Sequence, residues 1–382
     1  MSRDYDGKVA IVHDWFPVIS GAERVVEQFN LLYPQAGIYS LFDFLTDAQR
    51  AEILGDKAIH TSNLNRLPGV SKYYRSLILP CTQAIERFDL SSYDLVVSSS
   101  AALAKGVITG PNQLHVAYVH SPARYAWDLT HEYIDNMSGT FGGVKRAIAH
   151  SMMHRFRKWD ARTPNLVDQF VANSDFIRRR IWKIYRREAE VVYPPVNVAD
   201  FVPSEEPKED FFLFASRLVP YKRAPMVVEA FNRRPDLKLV VVGGGPELDR
   251  VRSLAGPNVE VRGHVSFAEL QRLMQKARAF VFAALEDFGI APVEAQACGT
   301  PVIALGKGGT AETVIPLGSS GASGVLYGEQ TLEALLAAID TFVAEGASIS
   351  SEDCRANAER FSIEAFRQNF RNTVSRAFAN HG

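Results

Sequence analysis

The sequence predicts an α/β protein built from two parallel-sheet domains. Short apolar runs alternate along the chain with segments of helix-forming composition, as in repeated βα units. Many of these runs end in loops that carry glycine, basic or acidic residues, and the carboxyl ends of parallel strands share one edge of a sheet. With 382 residues, the chain is long enough for two such domains with cores of their own.

The amino-terminal half opens with a buried strand at residues 8–14, followed by a loop that leads into a helix from Arg24. Gly21 in this loop would let the backbone approach a ligand at the helix start. Further strands are predicted at residues 93–98, 113–119 and 169–172. The second of these ends at His120, where a parallel strand delivers a side chain to a ligand crevice.

The carboxy-terminal half carries four strand-and-loop units, with strands predicted from residues 211, 237, 259 and 279. The loop after the first strand contains Arg217 and Lys222. The next two loops read Gly-Gly-Gly-Pro-Glu and Gly-His-Val. The fourth runs from Glu286 through Gly289 into a helix that contains Glu294. Free backbone N–H groups at this helix start predict an anion site, where one ligand could touch both carboxylates.

These loops resemble the donor domain of the retaining glycosyltransferases of family 4. The Ser-Arg-Leu-x-x-x-Lys, Gly-Gly-Gly-Pro-Glu and Gly-His-Val loops and the paired glutamates occur in the family's order. Residues 20–23 are also similar to the family's Gly-Gly-Ala-Glu loop, with Ser20 in place of the first glycine. The resemblance implies the GT-B architecture. In it, two Rossmann-like domains face each other across a cleft and the carboxy-terminal helix crosses back to the amino-terminal domain.

A stretch rich in proline and acidic residues, at 193–210, lacks hydrophobic periodicity and indicates a linker. We therefore expect an acceptor-binding domain at residues 1–195 and a nucleotide-sugar-binding domain at residues 196–355. Apolar residues then recur at roughly helical spacing. This pattern predicts a carboxy-terminal helix at residues 356–382.

A nucleotide-diphosphate sugar needs positive charge where its leaving phosphates gain negative charge. Arg217 and Lys222, on one loop, suit that role, and the N–H groups of Gly289 and Ile290 would add to it. No Asp-x-Asp pair follows a strand to hold a divalent ion. We therefore predict a metal-independent enzyme with no cofactor, for which the nucleotide sugar is a substrate.

The resemblance implies roles for the remaining matched residues. Glu294 would accept hydrogen bonds from the ribose hydroxyls and Glu286 from a hydroxyl of the sugar ring. Val265 and the glycine loop at 243–245 would line the base and ribose. His120 would face the sugar from the other domain, and Gly21 would lie against the donor.

The first strand's end, His13-Asp14-Trp15, and residues 119–133 look like a subgroup of the family associated with polysaccharide and O-antigen assembly. Many of its members are mannosyltransferases that use GDP-mannose. The resemblance therefore implies transfer of mannose to a polyprenyl-diphosphate-linked saccharide. A UDP-sugar donor carrying glucose, GlcNAc or glucuronate remains an alternative.

Between residues 141 and 187, twelve basic residues stand against three acidic ones. Large apolar residues from Phe141 to Trp159 interleave with the first basic cluster. This pattern predicts an amphipathic segment at 145–162 that docks on an anionic membrane, where a lipid-linked acceptor lies. A solvated helix face is the alternative.

Composition narrows the setting. A formal net charge of −1 argues against a nucleic-acid partner. The three cysteines are far apart and lack metal-ligand spacing, which favours a reducing compartment. The sequence shows no hydrophobic signal region and no apolar run of about 18 residues. We expect a cytoplasmic protein, peripherally associated with the inner face of the cytoplasmic membrane.

Three other classes share parts of this pattern. A GT-B sugar-nucleotide epimerase would be expected to carry different carboxylates. A dinucleotide oxidoreductase needs Gly-x-Gly-x-x-Gly after the first strand, which residues 20–25 do not provide. A noncatalytic sugar-nucleotide-binding subunit would be expected to lack a donor-site residue. This chain has all four that match the family: Arg217, Lys222, Glu286 and Glu294.

Overall fold

The computed structural model describes residues 7–131 and 142–381, which form two compact units. Unit 1 comprises the described residues up to Tyr193 together with the segment from Arg367. Unit 2 is Pro194–Phe366. In the described residues, no helix is both long and apolar enough to cross a bilayer.

The described part of unit 1 is built on a parallel sheet with the strand order β3-β2-β1-β4-β5-β6-β7. Its strands are β1 (Val9–His13), β2 (Gly37–Ser40), β3 (Ile59–Thr61), β4 (Leu95–Ser100), β5 (Leu114–Val119), β6 (Gln169–Ala172) and β7 (Ala189–Val191). Its helices within the first segment are α1 (Gly21–Leu32), α2 (Asp47–Leu54), α3 (Ile78–Ile85), α4 (Gly142–Arg162) and α5 (Asp175–Tyr185). The strand order reverses direction between β1 and β4, so the crevice for a ligand is expected at the carboxyl ends of these two strands.

Unit 2 repeats this plan with the order β10-β9-β8-β11-β12-β13, again all parallel. Its strands are β8 (Phe212–Ala215), β9 (Leu239–Val242), β10 (Val259–Gly263), β11 (Ala279–Phe282), β12 (Val302–Leu305) and β13 (Gly324–Tyr327). Its helices are α6 (Ala224–Asn232), α7 (Leu248–Leu254), α8 (Phe267–Lys276), α9 (Ile290–Ala297), α10 (Thr310–Thr313), α11 (Leu332–Glu345) and α12 (Ser351–Glu359). The order reverses between β8 and β11, which places the expected crevice there.

The central strands of both sheets are buried because helices cover both of their faces. All residues of β1, β4, β5, β8, β9 and β11 are buried. In unit 2, Phe212 of β8 packs between Phe231 of α6 and Phe342 of α11, with ring centroids 5.2 and 5.8 Å apart. The predicted α/β class with two parallel-sheet domains is confirmed.

The carboxy-terminal segment forms two helices instead of the single predicted one. Helix α12 ends at Glu359, and α13 (Ile363–His381) begins after a break at which the Ser362 hydroxyl accepts from the Ala365 N–H at 3.2 Å. From Arg367 onward α13 belongs to unit 1, where Phe370 packs on Phe29 with ring centroids 4.5 Å apart.

Candidate active site

A cavity of about 450 Å³ lies in unit 2 at the carboxyl ends of β8, β9 and β10. Its lining consists of Ala215, Ser216, Arg217, Val242, Gly243, Gly244, His264, Val265, Leu270, Met274, Ala291 and Glu294. Three of the predicted donor-site residues, Arg217, Val265 and Glu294, are therefore brought to one cavity. The apolar wall formed by Leu270 and Met274 of α8 was not predicted. Its signal would have been the helical spacing of these two residues after the Gly-His-Val loop.

The loops after β8 and β9 touch through their backbones, and this contact requires glycine. Gly243 has φ +135°, and a Cβ at this position would lie 1.8 Å from the Ser216 carbonyl oxygen. The Leu218 N–H donates to the Gly244 carbonyl at 2.9 Å. The glycine loop thereby fixes the backbone on either side of Arg217, whose side chain is exposed at the cavity.

Lys222 and Glu286 form an ion pair at the point where the strand order of unit 2 reverses. The pair joins the loop after β8 to the loop after β11, and both side chains are largely shielded, with exposures of 15% and 22%. The Lys222 ammonium also lies 5.1 Å from the ring centroid of Phe282, which attracts a cation through the face of the ring. The ring centroid of Tyr221 lies 5.3 Å from the same ammonium, so one carboxylate and two aromatic rings hold a cation at the predicted crevice.

Two glycines that the sequence analysis did not single out hold Glu286 in place. The N–H of Gly309 donates to the Glu286 carbonyl at 2.8 Å. At Gly308, with φ +73°, a Cβ would lie 2.3 Å from the same oxygen. The signal in the sequence is the run Gly-Lys-Gly-Gly-Thr at 306–310, directly after an apolar stretch.

Gly289 is the N-cap of α9 and adopts φ +91°, a conformation that favours glycine. The first helical residue is Ile290, so the N–H groups predicted to bind an anion do lie at a helix start. Glu294 lies in the second turn of α9, and desolvation by burial raises the pKa of its carboxyl to about 7. The two glutamates thus lie in different surroundings, Glu286 beside a cation and Glu294 against the cavity wall.

In unit 1, His120 ends a chain of polar contacts that begins at the start of α1. Its Nε2 lies 2.7 Å from the Ser99 hydroxyl, which lies 3.1 Å from Nδ1 of His13. Nε2 of His13 is 3.7 Å from a carboxylate oxygen of Glu23. Desolvation by burial, together with the neighbouring His13, lowers the pKa of His120 to about 3. His120 is therefore a neutral hydrogen-bonding group near pH 7.

Asp14, at the end of β1, anchors the loop after β4. Its carboxylate accepts four backbone N–H groups at 2.5–2.9 Å, donated by Ala101, Ala102, Leu103 and Ala104. This clamp lies at the reversal point of unit 1, between β1 and β4, beside Ser99. The sequence analysis named Asp14 only within the run that resembles the subgroup. It did not predict these four hydrogen bonds, because their donors are backbone groups and leave no pattern in the sequence.

Gly21 is the first residue of α1, as the predicted loop-to-helix transition requires. Ser20, which departs from the family's glycine, caps this helix. The Glu23 carboxylate accepts from the Ser20 N–H at 3.0 Å and from its hydroxyl at 2.5 Å. A serine is therefore compatible with the loop, because a hydroxyl is a favoured group at a helix N-cap.

The structure corrects the predicted amphipathic face of the basic segment. Phe156 of α4 is fully buried in the core, and the Trp159 indole donates to Glu86 at 2.7 Å. Arg157 donates to the Ala126 carbonyl at 2.9 Å, and Arg162 pairs with Glu86. Phe156, Trp159 and Arg157 therefore contact the rest of unit 1, whereas the Arg162 side chain is 61% exposed. Phe141, the first apolar residue of the prediction, lies outside the described residues.

Lys145, Arg155 and Lys158 of α4 are exposed. Several other basic residues of the predicted patch form ion pairs, such as Arg180 with Asp128 at 2.5 Å. The basic surface is therefore smaller than the residue count suggests. Within the ranges 7–131 and 142–381, no group of three or more His, Cys, Asp or Glu side chains is arranged to hold a metal ion.

Comparison with known proteins points to one class of enzyme. Residues 198–361 match the family model described as glycosyl transferases group 1. The chain is 26% identical over 345 residues to the D-inositol 3-phosphate glycosyltransferase of Mycobacterium marinum, covering 78% of this chain and 70% of that protein. It is 34% identical over 148 residues to a GDP-mannose-dependent alpha-(1-6)-phosphatidylinositol monomannoside mannosyltransferase of Mycolicibacterium smegmatis, covering 34% and 37% of the two chains.

Solved structures share the fold. HepE of Anabaena, crystallised in complex with UDP, superposes with a TM-score of 0.70 at 18% identity, covering 97% of this chain and all of that one. Sucrose-phosphate synthase of Thermosynechococcus elongatus superposes with a TM-score of 0.65 at 16% identity, covering 98% and 100%. The chain has the GT-B fold, and the family model and relatives support a glycosyltransferase. They do not specifically support the polysaccharide and O-antigen subgroup.

Proposed function

We propose that the protein is a retaining hexosyltransferase of family 4 that transfers mannose from GDP-mannose to a polyprenyl-diphosphate-linked saccharide. The observation that carries the proposal is the Lys222–Glu286 ion pair at the reversal point of the sheet, in the same unit as the cavity lined by Arg217 and Glu294. The GDP-mannose dependence named for the relative from Mycolicibacterium smegmatis supports the choice of donor.

The two cations act on the leaving group. In the transfer, the bond between the anomeric carbon and the diphosphate oxygen breaks, and an acceptor hydroxyl oxygen bonds to that carbon. The hydroxyl proton goes to the departing phosphate, on the same face of the sugar. Arg217 and Lys222 stabilise the charge that grows on the phosphate, and the N–H groups of Gly289 and Ile290 contribute from the start of α9. These groups interact more strongly with the transition state than with the bound donor.

The carboxylates and the histidine select the donor. Glu294, in the cavity with Val265, accepts from the ribose hydroxyls. Glu286 accepts from a hydroxyl of the sugar while it holds Lys222. His120, neutral near pH 7, offers the sugar a hydrogen-bonding group without adding charge.

A panel of nucleotides tests the donor. Thermal shifts with GDP-mannose, UDP-glucose, UDP-GlcNAc, UDP-glucuronate and an ADP-sugar should show the largest stabilisation with GDP-mannose. A ligand at 100 times its dissociation constant stabilises the folded state by about 2.7 kcal/mol. A larger shift with a UDP-sugar would replace the mannose proposal by the UDP-sugar alternative. Binding of every nucleotide sugar without transfer to any acceptor would instead favour a binding subunit.

The acceptor proposal places the protein on the inner face of the cytoplasmic membrane. The exposed cations Lys145, Arg155 and Lys158 of α4 would each contribute about 1 kcal/mol near an anionic surface. Changing all three to glutamate should abolish flotation with phosphatidylglycerol vesicles at low salt and leave donor binding intact. Arg157 is left unchanged in this variant because its guanidinium donates a hydrogen bond to the Ala126 carbonyl within unit 1. Equal flotation of wild type and variant at low and high salt would contradict membrane docking.

A further inference from the structure

A second cavity, of about 820 Å³, lies in unit 1 between α4 and the segment that enters α3. Its lining consists of Trp15, Arg75, Ser76, Ile78, Tyr125, Lys145, Ile148, Ala149, Met152 and Met153. It shares no residue with the cavity of unit 2 or with the His13–Ser99–His120 chain. Trp15 nevertheless follows Asp14 directly, so this groove approaches the reversal point at which the candidate residues of unit 1 lie.

The wall of the groove is mostly apolar and adaptable. Ile148 is 55% exposed, which is a high fraction for a large aliphatic side chain on a helix. Met152 and Met153 continue the same face, and methionine adjusts to occupants of irregular shape. Trp15 stands on the other side and packs edge-on against Tyr74, with ring centroids 5.4 Å apart. The groove therefore offers an apolar chain a surface with a fixed aromatic wall and a flexible aliphatic one.

Both charged residues in the lining are cations. Arg75 and Lys145 are exposed, and in the described parts of the chain no carboxylate forms an ion pair with either of them. Arg75 lies over the Tyr74 ring, its guanidinium carbon 5.3 Å from the centroid, and this contact orients it. No acidic residue lines the groove. The complementary ligand is therefore an apolar chain that carries a phosphate.

We propose that this groove binds the first isoprenoid units of a polyprenyl-phosphate lipid, with Arg75 and Lys145 contacting its phosphates. The inference rests on the proposed transfer to a lipid-linked acceptor and assigns the part of the protein that recognises the lipid. A peptide is a poorer occupant, because among the described residues the lining contains no carboxylate or amide side chain, and the hydroxyls of Ser76 and Tyr125 are its oxygen acceptors for buried backbone N–H groups. The phosphates of the lipid meet both cations while its hydrocarbon meets the apolar wall.

Direct binding of geranylgeranyl phosphate, below its micelle concentration, tests the proposal in the full-length protein. Ile148→Glu should weaken binding at least tenfold. Its matched control is Leu31→Glu, on α1 of the same unit, where the leucine is 54% exposed and outside the groove; this variant should bind like wild type. Both changes place a charge at an already exposed position, so both proteins should fold.

The phosphate contact has its own test. Reversing both cations, Arg75→Glu with Lys145→Glu, should weaken binding of geranylgeranyl phosphate at least tenfold and change binding of geranylgeraniol less than twofold. Lys183→Glu, an exposed cation on α5, is the matched control and should have no effect. Equal affinity in Ile148→Glu and Leu31→Glu would overturn the groove assignment.

Two further outcomes separate the lipid from the transferase proposal. In a competition experiment, displacement of geranylgeranyl phosphate by phosphatidylglycerol at equal concentration would show that the groove binds bilayer phospholipid. That result would overturn the polyprenyl assignment. Nucleotide-sugar binding is measured on the same variants. Its absence in wild type, with lipid binding retained, would refute the proposed function and leave the groove assignment standing.

Discussion

Removal of the Glu294 charge should stabilise the protein at alkaline pH. Desolvation raises the pKa of this carboxyl from its ordinary 4.5 to about 7. At about 1.4 kcal/mol for each pKa unit, ionisation of Glu294 in the folded state costs about 3 kcal/mol. The cost is absent below pH 4.5, grows as the pH rises toward 7, and is complete above 7. Glu294→Gln keeps the size of the side chain and removes the titrating proton.

Thermal unfolding followed between pH 5 and pH 9 measures this cost. The variant should exceed wild type by only about 2–4 °C in Tm near pH 5, where the cost is about 1 kcal/mol, and by about 6–12 °C for the transition of unit 2 at pH 8 and above. Glu345→Gln provides the control, because Glu345 is an exposed glutamate of α11 in the same unit. This control should differ little from wild type at any pH.

The result that refutes the reasoning is a difference between Glu294→Gln and wild type that does not change from pH 5 to pH 9. A constant difference would show that the substitution acts through packing and that the Glu294 carboxyl does not titrate in this pH range. The same variant tests the ribose contact, because an amide offers one acceptor oxygen where the carboxylate offers two. Nucleotide affinity should therefore fall in Glu294→Gln above pH 7 even though the protein is more stable.

Three further predictions concern catalysis. Lys222→Ala and Arg217→Ala should each lower kcat about 100-fold, equivalent to about 3 kcal/mol of barrier, with unchanged circular dichroism; near-normal turnover in either folded variant would contradict its role at the diphosphate. Activity should survive excess EDTA, and a loss that magnesium or manganese restores would show a metal requirement. Ser99→Ala, which breaks the contact with His120, should lower kcat about tenfold with little change in the KM for donor. The pKa of the His120 ring, followed by NMR, should also change in this variant, and an unchanged ring pKa would rule out the positioning role of Ser99.

Much of the fold follows from local sequence, and the exceptions have physical causes. Strands β8, β9 and β11 were predicted because each is a buried apolar run followed by a loop with glycine or charge. Strand β10 is only partly buried and was predicted as the run that leads into the Gly-His-Val loop. Strands β2, β3 and β7 were not assigned, since they are short and only partly buried. Strand β12 (Val302–Leu305) was not assigned either, although it is a fully buried apolar run of the same length as β8, β9 and β11.

The candidate site shows the same division. The residues were predicted because each follows a strand, whereas their contacts depend on which strands are neighbours. Lys222 meets Glu286 because β8 lies beside β11, although β9 and β10 separate them along the chain. His120 meets Ser99 because β5 lies beside β4. No local pattern encodes strand order. The ion pair and the histidine chain therefore required the three-dimensional structure.

Helix α13 has a consequence for how the chain folds during synthesis. Unit 2 is one continuous segment, whereas unit 1 includes residues that are translated only after all of unit 2. Until Phe370 emerges from the ribosome, the face of Phe29 that it covers stays exposed. Unit 2 can therefore reach its native state before unit 1 has its last segment, which begins at Arg367. Chaperone demand should accordingly concentrate on the part of the protein that is made first.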